Sequence, residues 1–239
     1  EDSLDRNYVL ALRMNELVNH DAEIDPTRTP DTTGKFNTGK LEGAKFPIEQ
    51  NGVDEIVGAV GQALYFPHDG GVRVAHSPSF ARISSGFSAQ ISVKRRVDLA
   101  QDTPDRAIYL LNKPGSFALR LLESGQFEAS VWVGGGERKS APFGSASLDT
   151  WTHLAFSYDV ATGSLRTYAN GTLAQETAGA PGALDVGTAD LLVGPAGQTE
   201  APPFVAAGTP LVLLDELLIS DRPRTLDEIA ANAFVCEPL

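Results

Sequence analysis

The chain has little sulfur, little positive charge and no long apolar run. One cysteine, Cys236, occurs in 239 residues, which excludes an internal disulfide and a multi-cysteine metal site. The longest apolar stretches, such as Leu191–Val193 and Leu211–Leu214, are strand-sized. They fall far short of the ~20 apolar residues of a membrane helix, so membrane insertion is not expected. Lys and Arg number 19 against 31 acidic residues, a formal net charge of −12. That sign repels phosphate backbones, and no nucleic-acid partner is expected. The cluster Lys94-Arg95-Arg96 is too short to change this. The charge suits a soluble surface, and it also suits divalent cations.

Catalytic signatures are also sparse. The four histidines, His20, His68, His76 and His153, have no metal-ligand spacing between them. Gly134-Gly135-Gly136 lacks the lysine and the following helix of a phosphate-binding loop. Glycosidases of the two-carboxylate kind need paired acids ~5 Å apart across one bond. Glu23-Ile24-Asp25-Pro26 is interrupted by proline. Asp54-Glu55 and Asp215-Glu216 are adjacent, so on a regular strand each pair points to opposite faces. Cys236, near the end of the chain, lacks a nucleophile's rigid setting. These readings point to a protein that is not an enzyme.

What the chain has is alternation. Short apolar-polar runs are punctuated by Gly, Pro, Asn and Asp, the pattern of an all-β protein. Tyr8–Leu12, Ala63–Phe66 and Gly71–Val74 read as strands, while 25–43 reads as a long turn-rich segment. Over Phe87–Lys94, Phe87, Ala89, Ile91 and Val93 take one face and Ser88, Gln90, Ser92 and Lys94 the other. Ala107–Leu111, Ser116–Leu122 and Gln126–Val133 form a meander. Trp151–Tyr158 and Leu165–Tyr168 are the strongest strands, followed by Asn170-Gly171, a dipeptide suited to a type I′ turn. Asn170-Gly171-Thr172 is formally a glycosylation sequon, but the turn accounts for it. Leu191–Val193 and Leu211–Ile219 complete the strands. Thr225-Leu226-Asp227-Glu228 has the capping-box form and predicts one short C-terminal helix. No linker divides residues 1–239, which read as a single domain.

Several segments together resemble laminin-G-like domains of the concanavalin A-like lectin/glucanase superfamily. Trp151-Thr152-His153-Leu154-Ala155-Phe156-Ser157-Tyr158-Asp159 is similar to that family's W-x-H-V-A-x-x-Y-D strand. Leu165-Arg166-Thr167-Tyr168-Ala169-Asn170-Gly171-Thr172-Leu173 is similar to its L-x-x-Y-V-N-G-x-L hairpin. Leu214-Asp215-Glu216-Leu217-Leu218-Ile219-Ser220 resembles its closing strand. Asp31-Thr32-Thr33-Gly34-Lys35-Phe36-Asn37-Thr38-Gly39 and Gly61-Gln62-Ala63-Leu64-Tyr65-Phe66 resemble its N-terminal segments. Where members often carry W-V-K, this chain has Ser92 in place of the tryptophan. The resemblance implies a two-sheet antiparallel β-sandwich of the concanavalin A-like jelly-roll kind. It also implies a secreted, periplasmic or cell-surface module that binds glycan. The alternatives are a protein-binding adhesion module on the same fold and, third, a glycoside hydrolase or lyase. The start at Glu1 fits removal of a signal peptide, and a trimmed chain equally.

Two candidate sites follow. Many relatives carry structural Ca²⁺, and the resemblance suggests that Asp31 and Asp215 meet at one such ion, with Asp69 a third candidate. An aspartate within the apolar run Leu211–Ile219 is costly unless partnered. The other reading has Asp31 capping a turn and Asp215 accepting backbone N–H groups. For a sugar, Trp132 offers an aromatic ring to stack on, with Glu128 on its face and Gln90 on the polar side of another strand. Cover by the loop 195–210 is the competing reading for Trp132. Trp151 is expected in the core, and His153 is expected to be structural.

Overall fold

A computed structural model describes residues 6–14, 27–45, 59–60, 63–67, 69–96, 107–195 and 210–233. Glu23, Asp25, Asp54, Glu55, His20, His68 and Cys236 lie outside the described residues, as does nearly all of the loop 195–210.

Fifteen strands and one short α-helix follow in chain order among those residues: β1 (Tyr8–Leu12), β2 (Arg28–Thr29), β3 (Gly39–Glu42), β4 (Leu64–Pro67), β5 (Gly71–Val74), β6 (Phe87–Arg95), β7 (Ile108–Lys113), β8 (Phe117–Leu121), β9 (Phe127–Val133), β10 (Gly136–Lys139), β11 (Trp151–Asp159), β12 (Ser164–Ala169), β13 (Thr172–Thr177), β14 (Leu191–Val193), β15 (Pro210–Ser220) and α1 (Leu226–Ala231). A 3₁₀ segment, Pro78–Ser85, precedes β6. The strands form two antiparallel sheets. One has the order β1-β15-β6-β11-β12-β13, with β4 also paired to β15; the other runs β10-β9-β8-β7-β14-β5-β3-β2.

Alternation builds the layers. Phe87, Ala89, Ile91 and Val93 of β6, and Leu154, Phe156 and Tyr158 of β11, are buried against Leu119 and Leu121 of β8 and Phe127, Ala129 and Val131 of β9. The contact is tightest where Phe117 of the second sheet stacks on Phe87 at 5.0 Å between ring centroids. Phe156 meets both rings edge-on, at 5.4 and 6.1 Å. Such offset and edge-to-face pairs add to the burial of the rings themselves.

Parity then decides the outer faces. On β11 the even residues fill the core, so Trp151, His153, Ala155 and Ser157 turn outward. Trp151 is therefore not a core residue: it is half-buried on the outer face, with Lys94 Nζ 5.9 Å from its ring. Lys113, at the end of β7, is instead fully buried. Its Nζ donates to Ala189 O at 2.7 Å and lies 4.7 Å from the Phe80 ring. Burial pushes that lysine down to about 8.

The helix forms as its capping box requires. Thr225 accepts from Glu228 N, and the Glu228 carboxylate accepts from Thr225 N at 2.9 Å. Ile229 buries its side chain with Ala155 and Tyr168, laying α1 over the outer face of the first sheet. Arg224 anchors the approach, its guanidinium 4.2 Å from the Tyr8 ring and bonded to Glu228.

The β12–β13 turn is the type I′ turn the sequence implies, with φ of 49° at Asn170 and 74° at Gly171. Asn170 also does a second task. Its Oδ1 accepts from His153 N at 2.9 Å, tying the turn to β11. Asn170→Ala places an alanine in the left-handed region and leaves that N–H unpaired. The expected cost is about 2 kcal/mol in urea denaturation, and a loss below about 0.5 kcal/mol would contradict this role.

Candidate functional site

The structure separates the residues that the sequence placed together. Trp132 and Glu128 lie on the outer face of β9 in the second sheet, whereas Gln90 lies on the outer face of β6 in the first. Gln90 is almost fully buried, and its Oε1 accepts from Asn232 Nδ2 at 3.4 Å beside α1. It therefore does not share a surface with Trp132. Alternation fixes which face of a strand a residue takes, but not which sheet the strand joins.

The Trp132 face is built in cross-strand rows. Tyr109, Arg120 and Glu128 stand opposite one another on β7, β8 and β9. Arg120 forms an ion pair with Glu128, and its guanidinium lies 5.8 Å from the Tyr109 ring. In the next row stand Asn112, Ala118, Ser130 and Lys139. Ser130 is fully buried, and among the described residues its hydroxyl has no partner. Trp132 follows, half-buried, opposite Glu137. Its backbone N–H donates to Ser116 O at 2.8 Å and its backbone carbonyl accepts from Asp185 N at 2.8 Å. An aromatic ring on the same face as a fixed carboxylate–guanidinium pair, two rows away, suits an extended ligand with both apolar and hydroxyl-bearing faces.

The three metal candidates each have other work. Asp31 staples its own loop: its carboxylate accepts from Ala11 N at 3.1 Å, Thr33 N at 3.0 Å, Thr33 Oγ1 at 2.8 Å and Asn37 N at 3.0 Å. Asp215 is fully buried and accepts from Val60 N and Glu216 N, each at 2.9 Å. Asp69 sits exposed on the turn closed by Gly70 N to Pro67 O. Among the described residues no three His, Cys, Asp or Glu side chains gather to hold a metal. Calcium wants several free oxygen ligands on one centre, and these carboxylates as placed do not fit it.

The stapled loop has an effect that the sequence did not signal. It presents Phe36 with 90% of its surface exposed and φ of 62°. Left-handed backbone is costly for a bulky residue and tends to persist at binding elements.

A second arrangement lies on the first sheet. Asp215, Ser92 and His153 are in register across β15, β6 and β11. Between Asp215 and Leu218 the pairing shifts by a bulge, and Glu216 adopts φ of 51°. The bulge interrupts the alternation expected of Asp215 and Glu216. Glu216 lines a cavity of about 160 Å³ and ion-pairs with Arg13, while Asp215 bonds Val60 in the wall of that cavity. Burial pushes the Asp215 carboxyl up to about 8, against the pull of its backbone donors. Burial pushes the His153 imidazole down to about 4, so it is neutral at pH 7. Glu216 is also raised by burial, with Arg13 opposing the shift.

The family's sequence pattern, described as concanavalin A-like lectin/glucanases of the laminin-G type, matches residues 68–230. The chain belongs to this superfamily. No curated protein matches it in sequence. Among solved structures, this laminin-G-like chain is similar to the receptor-binding domain of botulinum neurotoxin mosaic serotype C/D. Identity is 12% and the TM-score 0.68, over 95% of this chain and 50% of that one. It is also similar to Trypanosoma rangeli sialidase, with 14% identity and a TM-score of 0.62 over 97% of this chain and 33% of that one. A third likeness is domain 4 of AbnA, an extracellular arabinanase of Geobacillus stearothermophilus, solved with arabinotriose. There identity is 18% and the TM-score 0.61, over 95% of this chain and 98% of that one. The chain thus spans about half of the toxin fragment and a third of the sialidase, and at these identities the likeness is one of fold. Among the described residues no helix is long and apolar enough to cross a membrane.

The buried acid and imidazole of this laminin-G-like sandwich set opposite pH trends. Asp215, ordinarily near 3.8, holds its proton in the folded state and releases it when unfolded, so its contribution to stability falls as pH rises from about 4 to about 8. His153 is held neutral, so its contribution is lost as pH falls from 6.5 toward 4. Asp215→Asn keeps an acceptor for Val60 N and removes the first trend. Urea denaturation from pH 5 to 8 should show the variant gaining on the wild type as pH rises. Parallel curves would contradict a buried, protonated Asp215.

Proposed function

We propose that this chain is a non-catalytic, single-domain module that recognises glycan and works outside the cytoplasm. The observation that carries the reading is that Trp132 and the Arg120–Glu128 pair share one outer sheet face, two cross-strand rows apart. Sugars bury the apolar face of a ring on an aromatic side chain while charged and amide groups take the hydroxyls. Tyr109 and Asn112 extend that face. The likeness to an arabinanase domain solved with arabinotriose supports the same reading.

Two observations support binding without hydrolysis. Glu128 is tied to Arg120, and of the adjacent acids Asp215 and Glu216 the first is fully buried. A glycosidase needs two carboxyl groups reaching one bond. The alternative of a protein-binding module has one observation in its favour, the exposed Phe36, since exposed aromatics anchor protein interfaces.

A glycan array with arabinotriose included, followed by fluorescence titration, tests the two readings together. Trp132→Ala should weaken glycan binding by about 1–2 kcal/mol, roughly five- to thirtyfold, while Phe36→Ser leaves it unchanged. Undiminished affinity in Trp132→Ala, or affinity lost only in Phe36→Ser, would overturn the assignment of this face.

A further inference from the structure

The cavity on the first sheet has a built polar lining that the Trp132 face does not use. Its walls include Arg13, Val60, Ser92, His153, Glu216 and Leu218. The rigid part of this set is the sheet. Ser92 and His153 are paired neighbours on β6 and β11, 3% and 2% exposed. Glu216 reaches the cavity only because of the β15 bulge, and Arg13 closes on it from the end of β1. The end of α1 supplies the rim through Ala231 and Asn232.

Among the described residues, one group in this lining is unspent: His153 Nδ1 is buried without a hydrogen-bond partner there, although its own backbone N–H is bonded to Asn170. Buried polar atoms without partners are uncommon in native folds, and a bound water, ion or other species that supplies the partner is one of the things that explains them. The bulge points the same way, because such irregularities gather where a strand re-aims a side chain.

Size and charge narrow the occupant. A closed cavity of ~150 Å³ holds one bare six-carbon ring; this one measures about 160 Å³ and opens at its rim, room for one ring whose outer hydroxyls reach the mouth. The Arg13–Glu216 pair cancels its own charge, and the imidazole is neutral at pH 7. The lining therefore offers carboxylate, guanidinium, hydroxyl, imidazole and amide groups with no net charge, beside apolar surface from Val60 and Leu218. Vicinal hydroxyls, each both donor and acceptor, match such a mixed set better than an anion or a cation does.

We infer that the cavity formed by Ser92, His153, Glu216 and Arg13 beneath α1 binds a single neutral polyhydroxylated ring, a monosaccharide or cyclic polyol. The site is separate from the Trp132 face, lies on the opposite sheet, and stands whether or not that face binds glycan. In it His153 Nδ1 gains a hydroxyl partner, and the Arg13–Glu216 pair takes neighbouring hydroxyls.

The test uses the full chain labelled with ¹⁵N and titrated separately with L-arabinose, D-galactose and myo-inositol, following the His153 ring nitrogens. At least one probe should shift them saturably in the millimolar range. Ala231→Trp, a change at an exposed helical position that fills the rim, should weaken the shift by about tenfold or more without lowering the melting temperature. Ser92→Ala is the second variant and should weaken it without closing the cavity. Trp132→Ala should leave it unchanged, which separates this site from the other sheet. The inference is overturned by no saturable shift with any of the probes, by an unchanged shift in both cavity variants, or by equal loss in Trp132→Ala.

Discussion

The packing of Phe117 between Phe87 and Phe156 holds the two sheets together, and every functional face depends on it. Strand residues alternate strictly, so committing one parity of each strand to this core commits the other to the outside. Val131 and Ala129 are buried, and Trp132, Ser130 and Glu128 must therefore face outward. Leu154 and Phe156 are buried, and His153 must face outward beside Ser92. The aromatic cluster thus orients two chemically different surfaces back to back without touching either.

The informative exceptions are the places where alternation breaks. One extra residue in β15 turns Glu216 toward the cavity that holds Ser92 and His153, next to a carboxyl kept from water. The loop 31–37 is another exception. Four donors converge on Asp31, and the result is a left-handed, exposed Phe36 rather than a buried one. Both cost local conformational energy, which packing elsewhere supplies. Asp31 and Asp215 spend their oxygens on protein donors in this arrangement, backbone and hydroxyl for the first and backbone for the second.

Most of the sandwich was legible in the sequence wherever a strand alternates and is bounded by turn residues. Tyr8–Leu12, Phe87–Arg95, Trp151–Asp159 and Pro210–Ser220 fall where the pattern puts them. So do the Asn170-Gly171 turn and the Thr225–Glu228 box. Strand β10 was not legible, because Gly136-Glu137-Arg138-Lys139 is an edge strand with little apolar content, and of β13 (Thr172–Thr177) only the start, Thr172-Leu173 after the hairpin turn, was. The short β2 and β3 were hidden in a segment whose composition reads as turns. For the sites, parity turned Trp132 and Glu128 outward; Trp151 was misplaced because its aromatic character was read as core against the parity that the buried Leu154 and Phe156 set. The separation of Gln90 from Trp132 is a matter of sheet membership, set by long-range pairing that no local pattern carries. A bulge leaves no local signature either, so the meeting of Glu216, Ser92 and His153 appears only in three dimensions.

The most direct test of the central claim is a crystal structure of the chain with the glycan that binds it most tightly. Density for a sugar ring against the Trp132 indole, with hydroxyls on Arg120 and Glu128, is the result predicted for a surface oriented by the shared core. A sugar held only by the Phe36 loop, with the Trp132 face bare, would contradict it.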